Sequence, residues 1–239
     1  MSQNQTEKTE SLHEIFRNLH AERIRTMDPA VLQININQRK TLVETADRSR
    51  FVKAGDAVEP FSLPEVSGGV VSLNRLLETG PAVLVFFRFE GCPACNLALP
   101  YYQRNLLPGL RRAGAMLVAI SPQVPERLVE IKKRHSLDFY VASDIGNELG
   151  RKFGILYTFD EASRQNALNH KRPIGEVTGT GTWELPMPTA VVIDRERTVR
   201  FADVHPDWLL RTEAGPILAA VDALSAPIRE RSPAAHAHV

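Results

Sequence analysis

Residues 81–100 (PAVLVFFRFEGCPACNLALP) constrain the fold of this chain more than any other segment. They open with residues 81–87, a short apolar run rich in Val and Phe, which is typical of a buried strand and too short to cross a membrane. Cys92 and Cys95 follow, and residues 96–102 then show the apolar spacing of a helix. The sequence therefore predicts a cysteine pair at the point where a buried strand turns into a helix.

This position favours an ionised thiol at Cys92. The first turn of a helix offers free N–H groups and the positive end of the helix dipole, and both stabilise a thiolate. Pro93 fits the first helical position because its missing N–H is not needed there. Cysteines in CxxC sites have pKa values of roughly 3.5 to 7.5, against about 8.5 for a free thiol. We therefore predict that Cys92 is the nucleophile and that Cys95, one turn inside the helix, is less accessible.

The cysteine pair has three interpretations: buried core residues, half of a zinc site, or a dithiol that cycles with a disulfide. A structural zinc site needs four Cys or His ligands, and the sequence has only two cysteines and seven scattered histidines. If the two cysteines were only buried core residues, their position at a strand-to-helix turn flanked by Gly91 and Pro93 would be a coincidence. The pattern favours redox chemistry, with no metal and no bound cofactor.

Composition limits the classes of protein and of partner. A chain of 239 residues, 43% of them hydrophobic, can bury one good core plus an accessory segment. A net charge of +1 gives no electrostatic reason to bind nucleic acid or an anionic membrane. The polar start MSQNQTEKTE lacks a signal-peptide pattern, and no apolar run reaches the length of a membrane span. These features predict a cytoplasmic protein, and in that reducing compartment a lone CxxC is more often catalytic than structural.

A helical arm, defined as residues 1–50, is predicted ahead of the main domain. Apolar residues recur at helical spacing from residue 11 to about residue 25, and Ser11 with Glu14 forms a capping box. A second helix is predicted from Asp28-Pro29 to about residue 45. At the other end of the chain, residues 227–239 are rich in Ala and Pro and are expected to form a flexible tail.

Between these ends, residues 51–226 alternate between strand and helix patterns, which predicts an α/β domain with parallel strand pairs. Gly68-Gly69 marks a hairpin before this alternation begins. A long segment at about residues 156–184 contains three glycines and is predicted to be an irregular insertion or lid. Strands are predicted at residues 81–87, 116–121, 138–142, 189–194 and 198–202, and helices at 73–78, 93–107, 125–135, 144–153 and 213–224.

Three motifs together resemble the thioredoxin-like superfamily: the CxxC after a Phe-rich strand, Pro100 beyond it, and Met187-Pro188-Thr189 leading into a strand. More narrowly, residues 53–224 resemble the peroxiredoxin-like members of the alkyl hydroperoxide reductase and thiol-specific antioxidant group. The resemblance implies a thioredoxin-like α/β fold, with a central mixed sheet flanked by helices. It also implies that Pro188 is cis and lies in contact with the cysteine pair.

The chain departs from the family pattern around the nucleophile. Typical peroxiredoxins resemble Pro-x-x-x-Thr/Ser-x-x-Cys at this point, with an Arg from a later strand. Ending that pattern at Cys92 puts Val85 at the Pro position and Phe89 at the hydroxyl position. Pro188 stands near the position of the Arg. The polar groups that would bind and polarise a peroxide are therefore missing from their usual positions.

Arg88 is the cation closest to Cys92 in the sequence. If Phe87 points into the core, alternation along the strand turns Arg88 to the other face, and the following bend returns its guanidinium towards the helix start. One hypothesis is that Arg88 stabilises the Cys92 thiolate or holds a peroxide oxygen. The other is a surface ion pair with Glu90, worth about 0–1 kcal/mol.

The resemblance implies a thiol-dependent antioxidant enzyme that reduces hydroperoxides. Cys92 would become a sulfenic acid, Cys95 would resolve it to a disulfide, and a thioredoxin-like or small-thiol reductant would reset the pair. The alternative, favoured by the missing Thr and Arg, is thiol–disulfide exchange with a protein or small-molecule disulfide. A third hypothesis is a non-enzymatic binding module with an inert CxxC, whose cysteines would alkylate slowly. The oligomeric state stays open, with a homodimer as one option.

Overall fold

The computed structural model describes residues 10–172 and 174–225. Within this part of the chain, the helical arm forms α1 (Leu12–Thr26) and α2 (Pro29–Thr45), followed by a 3-10 turn at Arg48–Arg50. Both predicted helices are confirmed, as are the caps that open them. The Ser11 hydroxyl accepts the Glu14 N–H at 3.3 Å, and Asp28 accepts two N–H groups of the first turn of α2.

The predicted hairpin follows the arm as β1 (Ser62–Pro64) and β2 (Val70–Ser72), which pair antiparallel across Gly68-Gly69. Both glycines have positive φ angles, 109° and 82°, which suits a residue without a Cβ. Ser72 then caps α3 (Leu73–Thr79) by accepting the Arg75 N–H at 3.4 Å.

The rest of the described chain consists of strands and helices, and residues 82–143 alternate between them as predicted. In chain order the elements are β3 (Ala82–Phe86), α4 (Pro93–Asn105), α5 (Leu107–Arg112), β4 (Met116–Ser121), α6 (Pro125–Arg134), β5 (Tyr140–Ser143), α7 (Glu148–Lys152), β6 (Leu156–Thr158), α8 (Glu161–Asn169), α9 (Ile174–Val177), β7 (Glu184–Pro186), β8 (Thr189–Ile193), β9 (Val199–Val204) and α10 (Ala214–Ser225).

The central sheet has five strands in the order β5-β4-β3-β8-β9. β3, β4 and β5 run parallel, whereas β8 runs antiparallel to both β3 and β9. The predicted mixed sheet is therefore confirmed. Every residue of β3 is buried, because one hydrophobic cluster covers each face of the sheet, and this explains its continuous apolar sequence.

The prediction that residues 156–184 are irregular is wrong. β6 and β7 pair antiparallel, and α8 and α9 lie between them in the chain. Asp160 caps α8 by accepting the Ser163 N–H at 2.8 Å. The strands were missed because each has three residues, too few to show a period of two. The predicted tail at residues 227–239 lies outside the described residues.

Candidate active site

Hydrogen bonds fix the loop that joins β3 to α4. The Ser121 hydroxyl donates to the Arg88 carbonyl at 2.9 Å, and the Glu90 N–H donates to Gln123 Oε1 at 2.7 Å. The Asn96 amide of α4 donates back to the Glu90 carbonyl at 2.6 Å. The end of β4 and the first turns of α4 thus hold the loop from both sides, and this positions the cysteine that follows it.

Cys92 lies at the N-terminal cap of α4, and Pro93 occupies its first turn, as the sequence predicts. Both cysteines are free, so the structure represents the reduced dithiol. The exposed fractions are 1% for Cys92 and 0% for Cys95. The predicted difference in accessibility is therefore absent, since neither thiol reaches the surface in this state.

The two thiols have opposite pKa shifts. Burial alone would raise the pKa of Cys92, but a hydrogen bond from the Cys95 thiol and the positive charges of Arg88 and Arg211 outweigh it and lower this pKa to about 5. Burial and the adjoining Cys92 raise the pKa of Cys95 well above its ordinary value. At neutral pH the pair is a Cys92 thiolate beside a Cys95 thiol, which combines a nucleophile with a proton donor.

Arg88 does not form the predicted surface pair with Glu90, so that hypothesis is wrong. Glu90 pairs with Arg134 on α6 at 3.1 Å, while Arg88 is only 7% exposed. The Arg88 guanidinium lies over three aromatic rings, and its Nε has no hydrogen-bond partner among the described residues. The distances from its central carbon to the ring centroids are 5.3 Å for Phe89, 5.4 Å for Phe159 and 4.5 Å for Trp208.

Arg211 is a second cation at the site, and the sequence analysis missed it. It lies between β9 and α10, and its Nη2 is 3.5 Å from the Cys95 sulfur. Its guanidinium also lies 5.7 Å from the Phe16 ring centroid on α1. Because 116 positions separate Arg211 from Cys95, the local sequence carries no signal for this contact.

The prediction that Pro188 is cis is wrong, since the described residues contain no cis peptide bond. The Met187 N–H donates to the Ile155 carbonyl at 2.7 Å, so the chain runs extended from β7 into β8 and makes no turn there. In an extended segment the trans isomer keeps its intrinsic advantage of about 0.5–1 kcal/mol. The pairing of Thr189 with Phe86 places Pro188 beside the end of β3.

The helical arm covers the Arg88 stack. Arg23 of α1 and Arg39 of α2 also lie over the Trp208 ring, at 5.4 and 5.6 Å from its centroid. Arg39 is held there by Asp207, at 3.1 Å. Trp208 therefore joins the arm to the dithiol site.

Residues 10–172 and 174–225 contain no group of three or more His, Cys, Asp or Glu side chains arranged to hold a metal ion. None of the helices there combines the length and apolar character that a membrane span requires.

Residues 54–202 match the family model described as "AhpC/TSA family". Peroxiredoxin Bcp of Escherichia coli (strain K12) is 33% identical over 110 residues, which is 44% of this chain and 65% of that protein. Chloroplastic peroxiredoxin Q of Oryza sativa subsp. japonica is 29% identical over 121 residues, 49% of this chain and 55% of that protein. The chain thus spans 55% to 65% of the length of these curated relatives.

Solved structures agree with this match at the level of the fold. The peroxidoxin BcpB of Mycobacterium tuberculosis superposes with a TM-score of 0.58 at 22% identity, covering 73% of this chain and 99% of that one. The bacterioferritin comigratory protein of Xanthomonas campestris gives a TM-score of 0.54 at 17% identity, covering 72% and 100%. The thioredoxin-like fold predicted from the sequence is confirmed.

Proposed function

The chain belongs to the AhpC/TSA family, and from this premise we propose that it is a thiol-dependent peroxidase that uses Cys92 and Cys95. The observation that carries the proposal is the placement of the buried Cys92 beside the Cys95 thiol and two guanidinium groups, which lower its pKa to about 5. A thiolate is the form of cysteine that attacks a peroxide oxygen. The adjoining Cys95 thiol suits the resolving role, in which it forms a disulfide with the oxidised Cys92.

In the first step the Cys92 sulfur attacks the outer oxygen of R–O–O–H. The S–O bond forms, the O–O bond breaks, and R–O⁻ takes a proton to leave as an alcohol or as water. Cys92 is now a sulfenic acid. Arg88 and Arg211 are the groups placed to stabilise the developing negative charge, in place of the Thr and Arg of the family pattern.

In the second step Cys95 attacks the sulfenic sulfur, and the S–S bond forms as hydroxide leaves and is protonated to water. Two electrons from an external thiol reductant then return the disulfide to the dithiol. A pair with this cycle belongs in a reducing compartment, so we place the protein in the cytoplasm. A homodimer is compatible with this scheme and is left to measurement.

A second candidate function is thiol–disulfide exchange, and the positions of Val85 and Phe89 favour it. These residues stand where the family pattern has a Pro and a hydroxyl side chain that contacts peroxide. The same Cys92 thiolate would attack a disulfide sulfur, and Cys95 would release the mixed disulfide.

Stopped-flow oxidation of the reduced protein separates these functions. We expect hydrogen peroxide to oxidise the dithiol much faster than an equal concentration of glutathione disulfide does. Cys92→Ser should abolish the reaction, whereas Cys95→Ser should stop at a sulfenic acid that dimedone traps. Faster oxidation by the disulfide would establish the second function, and reaction with neither reagent would establish an inert cysteine pair.

A further inference from the structure

Tyr157 is a buried polar residue that the reaction scheme above does not use. It is the middle residue of β6, where Leu156 is half-buried and Thr158 is exposed. Tyr157 itself is only 5% exposed, because alternation along the strand turns its side chain into the core. There it belongs to the same hydrophobic cluster as Cys92 and Cys95.

An aromatic stack places Tyr157 beside Arg88. The Tyr157 ring stacks on Phe159, with 6.0 Å between the ring centroids and 16° between the ring planes. The Arg88 guanidinium lies over the same Phe159 ring, 5.4 Å from its centroid. The charges of Arg88, Cys92 and Cys95 all act on the Tyr157 hydroxyl, so this hydroxyl lies at the dithiol site.

The proton of the Tyr157 hydroxyl is not used by the protein. This hydroxyl is buried and makes no hydrogen bond of regular geometry with any described residue, and the same holds for Arg88 Nε. A guanidinium carries donors and no acceptor, so Arg88 cannot take the phenolic proton. Buried polar atoms are nearly always paired with protein, water or ligand atoms. Two unpaired donors at one site therefore mark a place for an acceptor, such as an oxygen atom of a substrate.

The first step of the proposed reaction needs a proton at the leaving oxygen. Water has a pKa of about 15.7, so hydroxide leaves readily only when it is protonated. The Cys95 thiol already donates to Cys92, and an arginine does not release its proton. Burial raises the pKa of Tyr157 to about 12, so this phenol is protonated at neutral pH and is still a stronger acid than water.

We propose that Tyr157 is a further catalytic residue, whose hydroxyl binds the leaving oxygen of the hydroperoxide and gives it a proton. The inference deepens the function above and rests on it. Tyr157 thereby supplies a hydroxyl that the family pattern places at the position of Phe89. The adjoining Arg88 guanidinium stabilises the phenolate that the proton transfer leaves.

The step balances in atoms and electrons. The Cys92 sulfur gives an electron pair to the outer oxygen of R–O–O–H, the S–O bond forms, and the O–O bond breaks with its electron pair on the inner oxygen. Tyr157 transfers its proton to this R–O⁻, which leaves as an alcohol, or as water when R is hydrogen. The phenolate then takes one proton from solvent. Sulfur loses two electrons, and the peroxide gains them.

Tyr157→Phe removes the hydroxyl and keeps the ring, and two oxidants test the role of the lost proton. Hydrogen peroxide releases hydroxide, whereas peracetic acid releases acetate, which needs no proton because carboxylic acids have pKa values of about 4. In stopped-flow oxidation at pH 7, we expect the variant to react about a hundredfold more slowly than the wild type with hydrogen peroxide. With peracetic acid its rate should stay within about threefold, which also shows that the variant is folded.

Tyr102→Phe is the matched control. Tyr102 is also buried, but its hydroxyl donates to the Thr212 carbonyl at 2.8 Å, so it is not available to a peroxide. Its rates with both oxidants should stay within about threefold of the wild type. The pKa of Cys92 in Tyr157→Phe, measured by thiolate absorbance, should change by less than about half a unit, because the lost group is neutral.

Equal losses with the two oxidants in Tyr157→Phe would overturn the inference, since they would show a general effect on the thiolate. An unchanged rate with hydrogen peroxide in this variant, beside a wild type that reacts rapidly, would overturn the inference and leave the proposed function standing. A wild type that hydrogen peroxide does not oxidise would remove the proposed function and the inference with it.

Discussion

At the scale of single residues, Arg88 and the Cys92 thiolate depend on each other. Arg88 is buried over three aromatic rings, and none of the carboxylates in the described part of the chain forms a salt bridge with it. A buried charge without a partner is costly, so the thiolate acts as the counter-charge of the guanidinium. The charge of Arg88 is in turn one cause of the lowered pKa of Cys92.

Arg88→Met tests this dependence, because Met keeps much of the apolar stem and removes the charge. We expect the pKa of Cys92 to rise by at least one unit, equivalent to about 1.4 kcal/mol, and peroxide oxidation at neutral pH to slow. Ultraviolet absorbance of the thiolate against pH measures the shift. Arg17→Met is the control, since Arg17 is exposed on α1 and pairs with Glu14. A Cys92 pKa that stays in place in Arg88→Met would remove Arg88 from the chemistry.

The pH dependence of alkylation should follow the ionisation of Cys92. With a pKa of about 5, the thiolate fraction rises through pH 5 and is nearly complete by pH 7. Iodoacetamide should therefore label Cys92 at a rate that is half-maximal near pH 5 and flat above pH 7. In Cys95→Ser a hydroxyl replaces the thiol that donates a hydrogen bond to Cys92. This variant therefore reports how much of the pKa shift of Cys92 depends on the Cys95 thiol. If iodoacetamide labels Cys95 before Cys92, the roles assigned to the two cysteines are reversed.

The same pKa makes the stability of the reduced protein depend on pH. Because the folded pKa of Cys92, about 5, lies far below that of a free thiol, about 8.5, the stabilisation is fully present above about pH 9 and is lost as pH falls through 5. Between pH 5 and pH 8, the free energy of unfolding of the wild type should rise relative to Cys92→Ser, by at most about 1.4 kcal/mol per pH unit. Urea unfolding under reducing conditions measures the free energy of unfolding at each pH. If this free energy depends on pH in the same way in both proteins, the lowered pKa of Cys92 is contradicted.

At the scale of elements, one carboxylate fastens the start of α1 to the domain. Glu213, just before α10, accepts hydrogen bonds from the Ser11 hydroxyl at 3.0 Å and from the Leu12 and His13 N–H groups at 3.1 and 2.9 Å. The Tyr101 hydroxyl of α4 donates to it at 2.6 Å. Burial raises the pKa of Glu213, but these donors outweigh it and lower the pKa below its ordinary value. The free N–H groups of a helix start thus serve as the attachment of the helical arm.

Glu213→Gln should loosen this attachment, because the neutral amide accepts the same N–H groups more weakly. We expect a loss of about 1–2 kcal/mol in the free energy of unfolding. Alkylation of Cys92 should also become faster, since α1 helps to cover the site. Urea unfolding and iodoacetamide kinetics measure the two effects. Glu44→Gln, an exposed change on α2, should alter neither. An unchanged alkylation rate in Glu213→Gln would show that the attachment of the arm does not control access to the thiols.

At the scale of the whole molecule, the arm, the sheet and the connection to α10 meet at Trp208. Arg23, Arg39 and Arg88 all lie over this ring, and Asp207 pairs only with Arg39 among them. The Cys92 thiolate opposes the mutual repulsion of these cations, and its charge also raises the pKa of Arg23, although burial lowers that pKa overall. The charge of the dithiol thus contributes to holding the arm closed.

Formation of the disulfide removes that negative charge, so the arm should pack less tightly in the oxidised protein. We expect trypsin to cleave within residues 12–45 several times faster after oxidation with diamide than before it. Mass spectrometry of the early fragments locates the cleavage. Cys92→Ser cannot form the disulfide and should show no response to diamide. Equal cleavage of the oxidised and reduced wild type would show that the charge of Cys92 does not hold the arm.

The sequence by itself determined the place of the cysteines and most of the elements outside residues 156–184. Helix caps at Ser11, Asp28 and Ser72 and the apolar run of β3 are local signals, which act on the backbone within a few residues. The strand-to-helix turn therefore placed Cys92 at the start of α4 as predicted. The alternation of strands and helices likewise indicated the α/β sheet, since it leaves few ways to bury the apolar faces.

Only the tertiary structure decided what surrounds the thiols. Arg211 lies 116 positions from Cys95, and the Gln38 and Trp208 side chains that bond to each other are 170 positions apart. Contacts of this kind depend on how whole elements pack, so no local periodicity or cap reports them. The burial of both thiols and the stacking of Arg88 have the same origin. The packing of the arm against the domain, a long-range balance of burial and charge, decides them.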